Sequence, residues 1–167
     1  NSPILNTICQ SLIIYSLTEE VFKTILILPI PKKQKTLFDF LLLSFTFGIA
    51  LGCFESVVYF LDHLQIANQR GAKILYGSIF ARIFSSDIIH LTCSGLCGLF
   101  IFSVRNKNTK ISCLITAILI HGFYDFFAGL KNNIRYFAIF AILLAIIECR
   151  IKYKALTNIS QTSETSA

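Results

Sequence analysis

Residues 4–30, "ILNTICQSLIIYSLTEEVFKTILILPI", are mostly apolar, yet they contain Glu19, Glu20 and Lys23 beyond the middle of the segment. A transmembrane helix requires about 20 consecutive residues that are predominantly apolar, and this segment meets that requirement. An ionisable side chain in such a helix costs about 2.5–3.5 kcal/mol on insertion scales, so it is usually paired or lines a hydrated cavity. The segment therefore predicts a membrane span that carries a polar site.

The rest of the chain continues this pattern. It is 54% apolar and 14% charged, and its mean hydropathy is +0.68, which lies outside the range of soluble domains. Polar clusters divide the apolar residues into five predicted spans, at about 4–30, 37–61, 74–104, 111–130 and 134–150. The third is long enough either to tilt or to begin as a short interfacial helix before a break.

We therefore predict an all-α fold, a polytopic transmembrane helix bundle of about five spans. One integral membrane domain is expected over residues 1–155, and the polar residues 156–167 are expected to form a disordered tail. The chain contains no methionine, which favours a processed or partial form of a longer product.

Basic residues outside the predicted spans are unevenly distributed. One side of the membrane would carry Lys32, Lys33, Lys35, Arg105, Lys107, Lys110, Arg150, Lys152 and Lys154, and the other side Arg70, Lys73, Lys131 and Arg135. By the positive-inside rule the larger set is cytoplasmic, which places the N-terminus outside and the C-terminus in the cytoplasm. The net charge of +6 then needs no nucleic-acid partner to explain it.

Ionisable side chains occur within four of the five predicted spans. They are Glu19, Glu20 and Lys23 in the first, Glu55 in the second, Arg82, Asp87 and His90 in the third, and His121 and Asp125 in the fourth. The two adjacent glutamates and the two histidines lie near the midpoints of their spans, so we expect them at one depth in the bilayer. Intramembrane ionisable residues mark a functional site by default.

Spacing within the helices predicts specific pairs. Glu19 and Glu20 precede Lys23 by four and three residues, so that one carboxylate can pair with the amine and leave the other free. Asp125 follows His121 by four residues and is expected to hold one imidazole nitrogen, which leaves the other nitrogen for a substrate or a metal.

The six cysteines all lie in or at the edge of apolar spans, and we expect them to be reduced core residues. His90, Cys93 and Cys97 share a helix face that offers metal ligands. Small residues such as those of "CSGLCG" (93–98) also serve close helix packing in membranes.

Four motifs resemble the PrsW family of intramembrane proteases, relatives of the type II CAAX-prenyl proteases and the bacteriocin-processing enzymes. They occur in the same order as in the family: "EEVFK" (19–23), "GIALGCFESVVY" (48–59), "RIFSSDIIHLTCSGLCG" (82–98) and "HGFYDF" (121–126). The chain departs from the family at Ser56, where an asparagine is expected, and it has fewer spans than the family usually has.

The resemblance implies hydrolysis of peptide bonds in membrane-anchored proteins, within or beside the lipid bilayer, as in regulatory proteolysis at a bacterial cytoplasmic membrane. It implies four catalytic residues, Glu19, Glu20, His90 and His121, with Lys23, Glu55, Arg82 and Asp125 in support. Glu19 or Glu20 would act as the general base toward water, and the histidines would donate hydrogen bonds to the oxyanion.

A metal-dependent alternative uses the same side chains. Glu19, Glu20, His90 and His121 would then hold one divalent metal such as zinc, which activates the water. The usual HExxH zinc signature is absent, and we therefore favour glutamate chemistry without a metal.

Two other classes of function remain open from the sequence. Carboxylates and histidines at mid-membrane also form proton relays and cation sites, as in a small ion or proton transporter. A catalytically inactive scaffold that binds a partner helix is the other alternative. The sequence does not determine the oligomeric state.

Overall fold

The computed structural model describes residues 3–31, 36–70, 72–130 and 133–165. Within these ranges all secondary structure is helical, with no strand, which confirms the predicted all-α class. The helices are α1 (Pro3–Cys9), a π-helical segment (Gln10–Ser16), α2 (Leu17–Ile27), α3 (Leu37–Arg70), α4 (Ala72–Ile83), α5 (Ser86–Arg105), α6 (Ile111–Ala128), a 3₁₀ segment (Asn133–Phe137) and α7 (Ala138–Thr165).

Three helical segments in the described part of the chain are long and apolar enough to cross a membrane. They are Leu37–Leu64, Ile79–Arg105 and Ile111–Ala128, and they correspond to the second, third and fourth predicted spans. Because apolar helices of this length are the signature of a bilayer-spanning protein, the chain is an integral membrane protein with a helical bundle.

The first and fifth predicted spans are also helical, and their status as spans stays a prediction. Residues 3–27 form one helical segment, because Cys9 and Leu17 on either side of the π-helical segment keep right-handed helical dihedrals. α7 extends to Thr165, into the polar segment for which composition predicts disorder. A helix that has begun in an apolar segment adds further residues without a new nucleation cost.

The predicted orientation and the domain boundary at residue 155 also stay predictions. Four of the lysines that support the orientation, Lys32, Lys33, Lys35 and Lys131, lie outside the described residues, and so do residues 166–167 of the predicted tail.

Local signals in the sequence explain where α3 begins. The backbone N–H of Asp39 donates to Thr36 Oγ1 at 3.1 Å, and Thr36 donates from its own N–H and hydroxyl to Asp39 Oδ2 at 3.1 and 2.8 Å. This reciprocal arrangement satisfies N–H groups that have no partner in the first turn of a helix. It starts α3 at Leu37, at the boundary between polar and apolar sequence.

A turn breaks the third apolar segment, and the interfacial position of its first part stays a prediction. α4 ends at Ile83 and α5 begins at Ser86, with a turn at Phe84 and Ser85. The hydroxyl of Tyr124 in α6 donates to Ser85 Oγ at 2.9 Å and so ties this turn to the bundle. The break places Arg82 beside α3 and not on the face of α5 that carries His90.

α5 lies at the centre of the bundle and packs against α2, α3, α6 and α7. Its small residues, among them Cys93, Gly95 and Gly98, are fully or almost fully buried. α3 approaches the backbone of α5 closely at Gly48, where an added Cβ would lie 2.6 Å from His90 O and 2.8 Å from Leu91 Cα. Close approach at small residues is how membrane helices associate, because lipid tails provide no hydrophobic drive for association.

We predict that Gly48→Ala destabilises the bundle by about 1–3 kcal/mol, because the new methyl group meets backbone atoms that cannot rotate away. Gly77→Ala is the matched control, since an added Cβ there meets no atom within 4 Å and alanine favours a helix by up to about 1 kcal/mol. Thermal unfolding of the two variants in detergent checks the prediction. Equal stability of the two variants would contradict it.

Candidate active site

Glu20, on α2, is completely buried and engaged on both of its carboxylate oxygens. Lys23 Nζ donates to Oε1 at 2.6 Å, and His121 Nδ1 donates to the same oxygen at 2.6 Å. The Cys97 thiol lies 3.3 Å from Oε2. Glu20 is therefore the carboxylate that pairs with Lys23, and it also orients a histidine from α6.

Glu19 precedes Glu20 by one residue and faces a different direction, because successive helical residues are rotated by about 100°. Its side chain is 43% exposed. Its Oε2 lies 3.9 Å from Lys23 Nζ, 3.8 Å from His121 Nε2 and 4.0 Å from His90 Nδ1. Of the two adjacent glutamates, Glu19 is thus the less tightly held, and it faces both histidines.

His90, on α5, is oriented from α3 and α4. Its Nε2 donates to Glu55 Oε2 at 2.5 Å, and the Arg82 guanidinium donates to Glu55 Oε1 at 2.6 Å. The same guanidinium lies over the Tyr59 ring, 4.4 Å from its centroid. The other imidazole nitrogen, His90 Nδ1, is buried and has no hydrogen-bond partner among the described residues.

His121, on α6, lies next to His90. The two ring centroids are 5.0 Å apart, and the rings are nearly perpendicular, at 76°. With Nδ1 against Glu20, His121 Nε2 lies on the side of Glu19 and Asp125, 3.8 Å from Glu19 Oε2 and 3.7 Å from Asp125 Oδ2. Each histidine therefore has one nitrogen fixed by a glutamate and the other turned to a shared space.

Glu19, His90 and His121, which we name the Glu–His–His cluster, meet in that space. Each offers one ligand atom, and these atoms all lie within 4.8 Å of one another. Two histidines and one carboxylate with an open fourth position are a common ligand set of catalytic zinc. A carboxylate on the other N–H of each ligating histidine is the usual outer arrangement of such sites.

The donor set thus fits one divalent cation. A cation at the cluster would also explain the buried His90 Nδ1, since an unpaired buried nitrogen otherwise carries a desolvation cost. The structure therefore supports the metal-dependent alternative more strongly than the sequence does.

Two expectations about individual side chains stay predictions. Asp125 was expected to hold one nitrogen of His121; its Oδ2 lies 3.7 Å from Nε2, and Glu20 makes the short hydrogen bond to Nδ1. Glu20 was expected among the metal ligands; the group that could hold a metal ion in the described part of the chain consists of Glu19, His90 and His121. Spacing in the sequence predicts contacts within one helix. It cannot predict the contact between Glu20 and His121, which are 101 positions apart.

Two serines near the site had no contact assigned to them from the sequence. Ser86 Oγ donates to Glu55 Oε2 at 3.5 Å, and its position four residues before His90 was a signal that it shares that helix face. Ser56, where the family pattern has asparagine, donates to Asp87 Oδ1 at 3.0 Å and not to Glu55. Asp87 is thereby engaged away from the cluster.

Two clefts reach the cluster, and Glu19 and Glu55 line both of them. The first, which we name the apolar cleft, has an empty volume of about 430 Å³ and is bounded by Phe22, Leu51 and Phe54. The second, which we name the polar cleft, has an empty volume of about 720 Å³, and its lining includes Gln10, Ser11, Tyr15 and Asp125. The site is thus accessible both from an apolar and from a polar side.

Fold and site together define a polytopic membrane protein that holds a carboxylate–histidine cluster between four of its helices. Residues 2–147 match the family model described as PrsW family intramembrane metalloprotease, and the chain belongs to this family. The resemblance found in the four motifs is thereby confirmed. No curated protein and no solved structure matches the chain significantly.

Proposed function

We propose that this protein is an intramembrane protease that hydrolyses a peptide bond of a membrane-anchored protein at the Glu–His–His cluster. The observation that carries the proposal is the convergence of one ligand atom each from Glu19, His90 and His121 within 4.8 Å, on three helices of a membrane bundle. Membership of a family of intramembrane metalloproteases supports the same function.

We further propose that Glu19, His90 and His121 hold one divalent cation, with zinc the best match to two imidazoles and a carboxylate. Such an ion, when bound, activates a water molecule and polarises the substrate carbonyl. Glu20 and Glu55 each take the N–H of one imidazole, which turns the other nitrogen toward the ion. Lys23 and Arg82 balance the charges of these two glutamates.

The polar cleft supplies the attacking water. Gln10, Ser11 and Tyr15 offer hydrogen bonds along it, and Asp125 lies where it meets the cluster. A hydrated path is needed because water is scarce in the hydrocarbon core, where an unpaired polar group is costly. We also propose that the enzyme lies in a bacterial cytoplasmic membrane, with the N-terminus outside, and acts in regulatory proteolysis.

Metal content and cleavage, measured together, test this proposal. The full chain in lipid vesicles is expected to contain about one zinc ion per chain and to cleave members of a single-span peptide library until a chelator is added. His63→Ala is the control, because His63 lies outside the cluster with Nδ1 2.9 Å from Tyr59 O, and this variant is expected to keep both its zinc and its activity.

Other results of these two measurements would favour a different mechanism or a different function. Cleavage that needs no metal would indicate that Glu19 acts as the general base and that His90 and His121 donate hydrogen bonds to the oxyanion. Failure to cleave any peptide would overturn the proposed function and leave the transporter and scaffold alternatives.

Glu55 provides a test of how His90 is positioned. We predict that Glu55→Ala lowers zinc affinity and cleavage by about 10–100-fold, because His90 loses the acceptor that fixes its ring. Glu55→Gln keeps an acceptor oxygen and should recover much of the affinity. Zinc titration of the two variants checks the prediction.

Glu148→Ala is the matched control for Glu55→Ala, since Glu148 forms a partly exposed ion pair with Lys152 at 3.9 Å and is not among the residues of the cluster. Zinc affinity is expected to stay at the wild-type value in this variant. Equal affinities in Glu55→Ala and Glu148→Ala would contradict a positioning role for Glu55.

A further inference from the structure

The apolar cleft lies between α2 and α3. Phe22 belongs to α2, whereas Leu51 and Phe54 belong to α3, and Glu19 and His90 lie at the inner end. Two of its charged lining residues are engaged with other groups, because Lys23 pairs with Glu20 and Glu55 binds both Arg82 and His90. The cleft therefore offers an apolar surface that ends at the cluster.

The mouth of the cleft faces the outside of the bundle. Phe22 and Phe54 are 54% and 68% exposed, so both rings lie on the surface that contacts lipid in a membrane protein. Leu51 is half-buried and lines the same cleft, together with Glu19 and His90. A peptide segment that enters here can reach Glu19 and His90 without leaving the bilayer.

We propose that the apolar cleft is a specificity pocket, which receives an apolar side chain of the substrate next to the scissile bond, and that Leu51 limits the size of that side chain. The inference rests on the proposed function, because it assigns the substrate class of the same site. A polar side chain between Phe22, Leu51 and Phe54 would lose its hydration without gaining a hydrogen bond from these three apolar residues. An apolar side chain gives up no hydrogen bond to water when it enters the cleft.

Cross-linking tests occupancy without requiring cleavage. A benzophenone amino acid is introduced in place of Phe54 of the full chain in lipid vesicles, and in place of Phe140 on α7 as the control, because Phe140 is similarly exposed, at 65%. The probe is a synthetic single-span peptide with a leucine–alanine core and a central Gly-X-Gly segment, where X is alanine, leucine or phenylalanine. Cross-linking at position 54 well above that at position 140 supports the pocket, and equal cross-linking overturns it.

Cleavage of the same peptides tests the role of Leu51. Leu51→Ala is expected to shift the ratio of cleavage rates toward the phenylalanine peptide over the alanine peptide by about tenfold, the order of magnitude that separates side chains of different size in an apolar pocket. Leu43→Ala is the control, because Leu43 lies on the same helix and outside the cleft. An unshifted ratio in Leu51→Ala overturns the assignment of Leu51. If the wild-type protein cleaves none of the peptides, the proposed function fails, and cross-linking alone decides whether the cleft binds apolar chains.

Discussion

Replacing Glu19 with glutamine will reduce peptide cleavage by about a thousandfold or more while the bundle remains folded. Glutamine has the shape of glutamate, but it is neutral, so it is a poor ligand for a divalent cation and cannot accept a proton from water. Glu19 is 43% exposed and approaches its neighbours only at 3.8–4.0 Å. Its loss should therefore change the free energy of unfolding by no more than about 0.5 kcal/mol.

Initial cleavage rates and thermal unfolding in detergent, measured on one preparation, check both parts of this prediction. Glu148→Gln is the matched control, since it removes one carboxylate from the chain at a distance from the cluster. Retained cleavage in Glu19→Gln would indicate that Glu20, and not Glu19, is the catalytic carboxylate. Retained cleavage in separate variants of both glutamates would remove the carboxylate pair from the mechanism altogether.

Replacing Glu20 with alanine will have a different effect, which is a loss of stability of about 3–5 kcal/mol. Lys23 is only 2% exposed, and Glu20 is the carboxylate that binds it at 2.6 Å, so the variant leaves an ammonium group buried without its close partner. His121 loses the acceptor of its Nδ1 at the same time. We expect a much lower unfolding temperature in detergent, together with loss of cleavage.

The double variant Glu20→Leu/Lys23→Met separates stability from activity. Exchange of a buried ion pair for apolar residues of similar volume is often neutral or stabilising, so this variant should recover most of the unfolding temperature. It should stay inactive, because no carboxylate orients His121. A single Glu20→Ala variant as stable as the wild type would contradict the burial of this pair.

The helices could be predicted largely from the sequence, because a bilayer requires long apolar segments and these are visible as runs. The predicted span at 111–130 agrees closely with α6 at Ile111–Ala128, and the predicted start of the second span at residue 37 agrees with the start of α3. The sequence predicted the break between α4 and α5 only as one of two alternatives, the other being a single long tilted helix. Its position at Phe84 and Ser85 depends on the contact from Tyr124 on another helix.

The ionisable residues of the site could also be found from the sequence, since a charged residue in an apolar run is conspicuous. The motif order then predicted the family that the match over residues 2–147 shows. Spacing identified Lys23 as a partner for the glutamates, because residues three and four apart share a helix face.

The class of protein, the helices and the set of polar residues could be derived from the sequence, because each follows from patterns within single helices. The packing of the helices was needed to show that Glu20 is the buried glutamate, that Glu19 is the available one, and that Glu20 makes the short hydrogen bond to His121. These roles depend on how α2, α3, α5 and α6 pack and rotate against one another. Helical periodicity relates neighbours on one helix and carries no information about which faces of two helices meet.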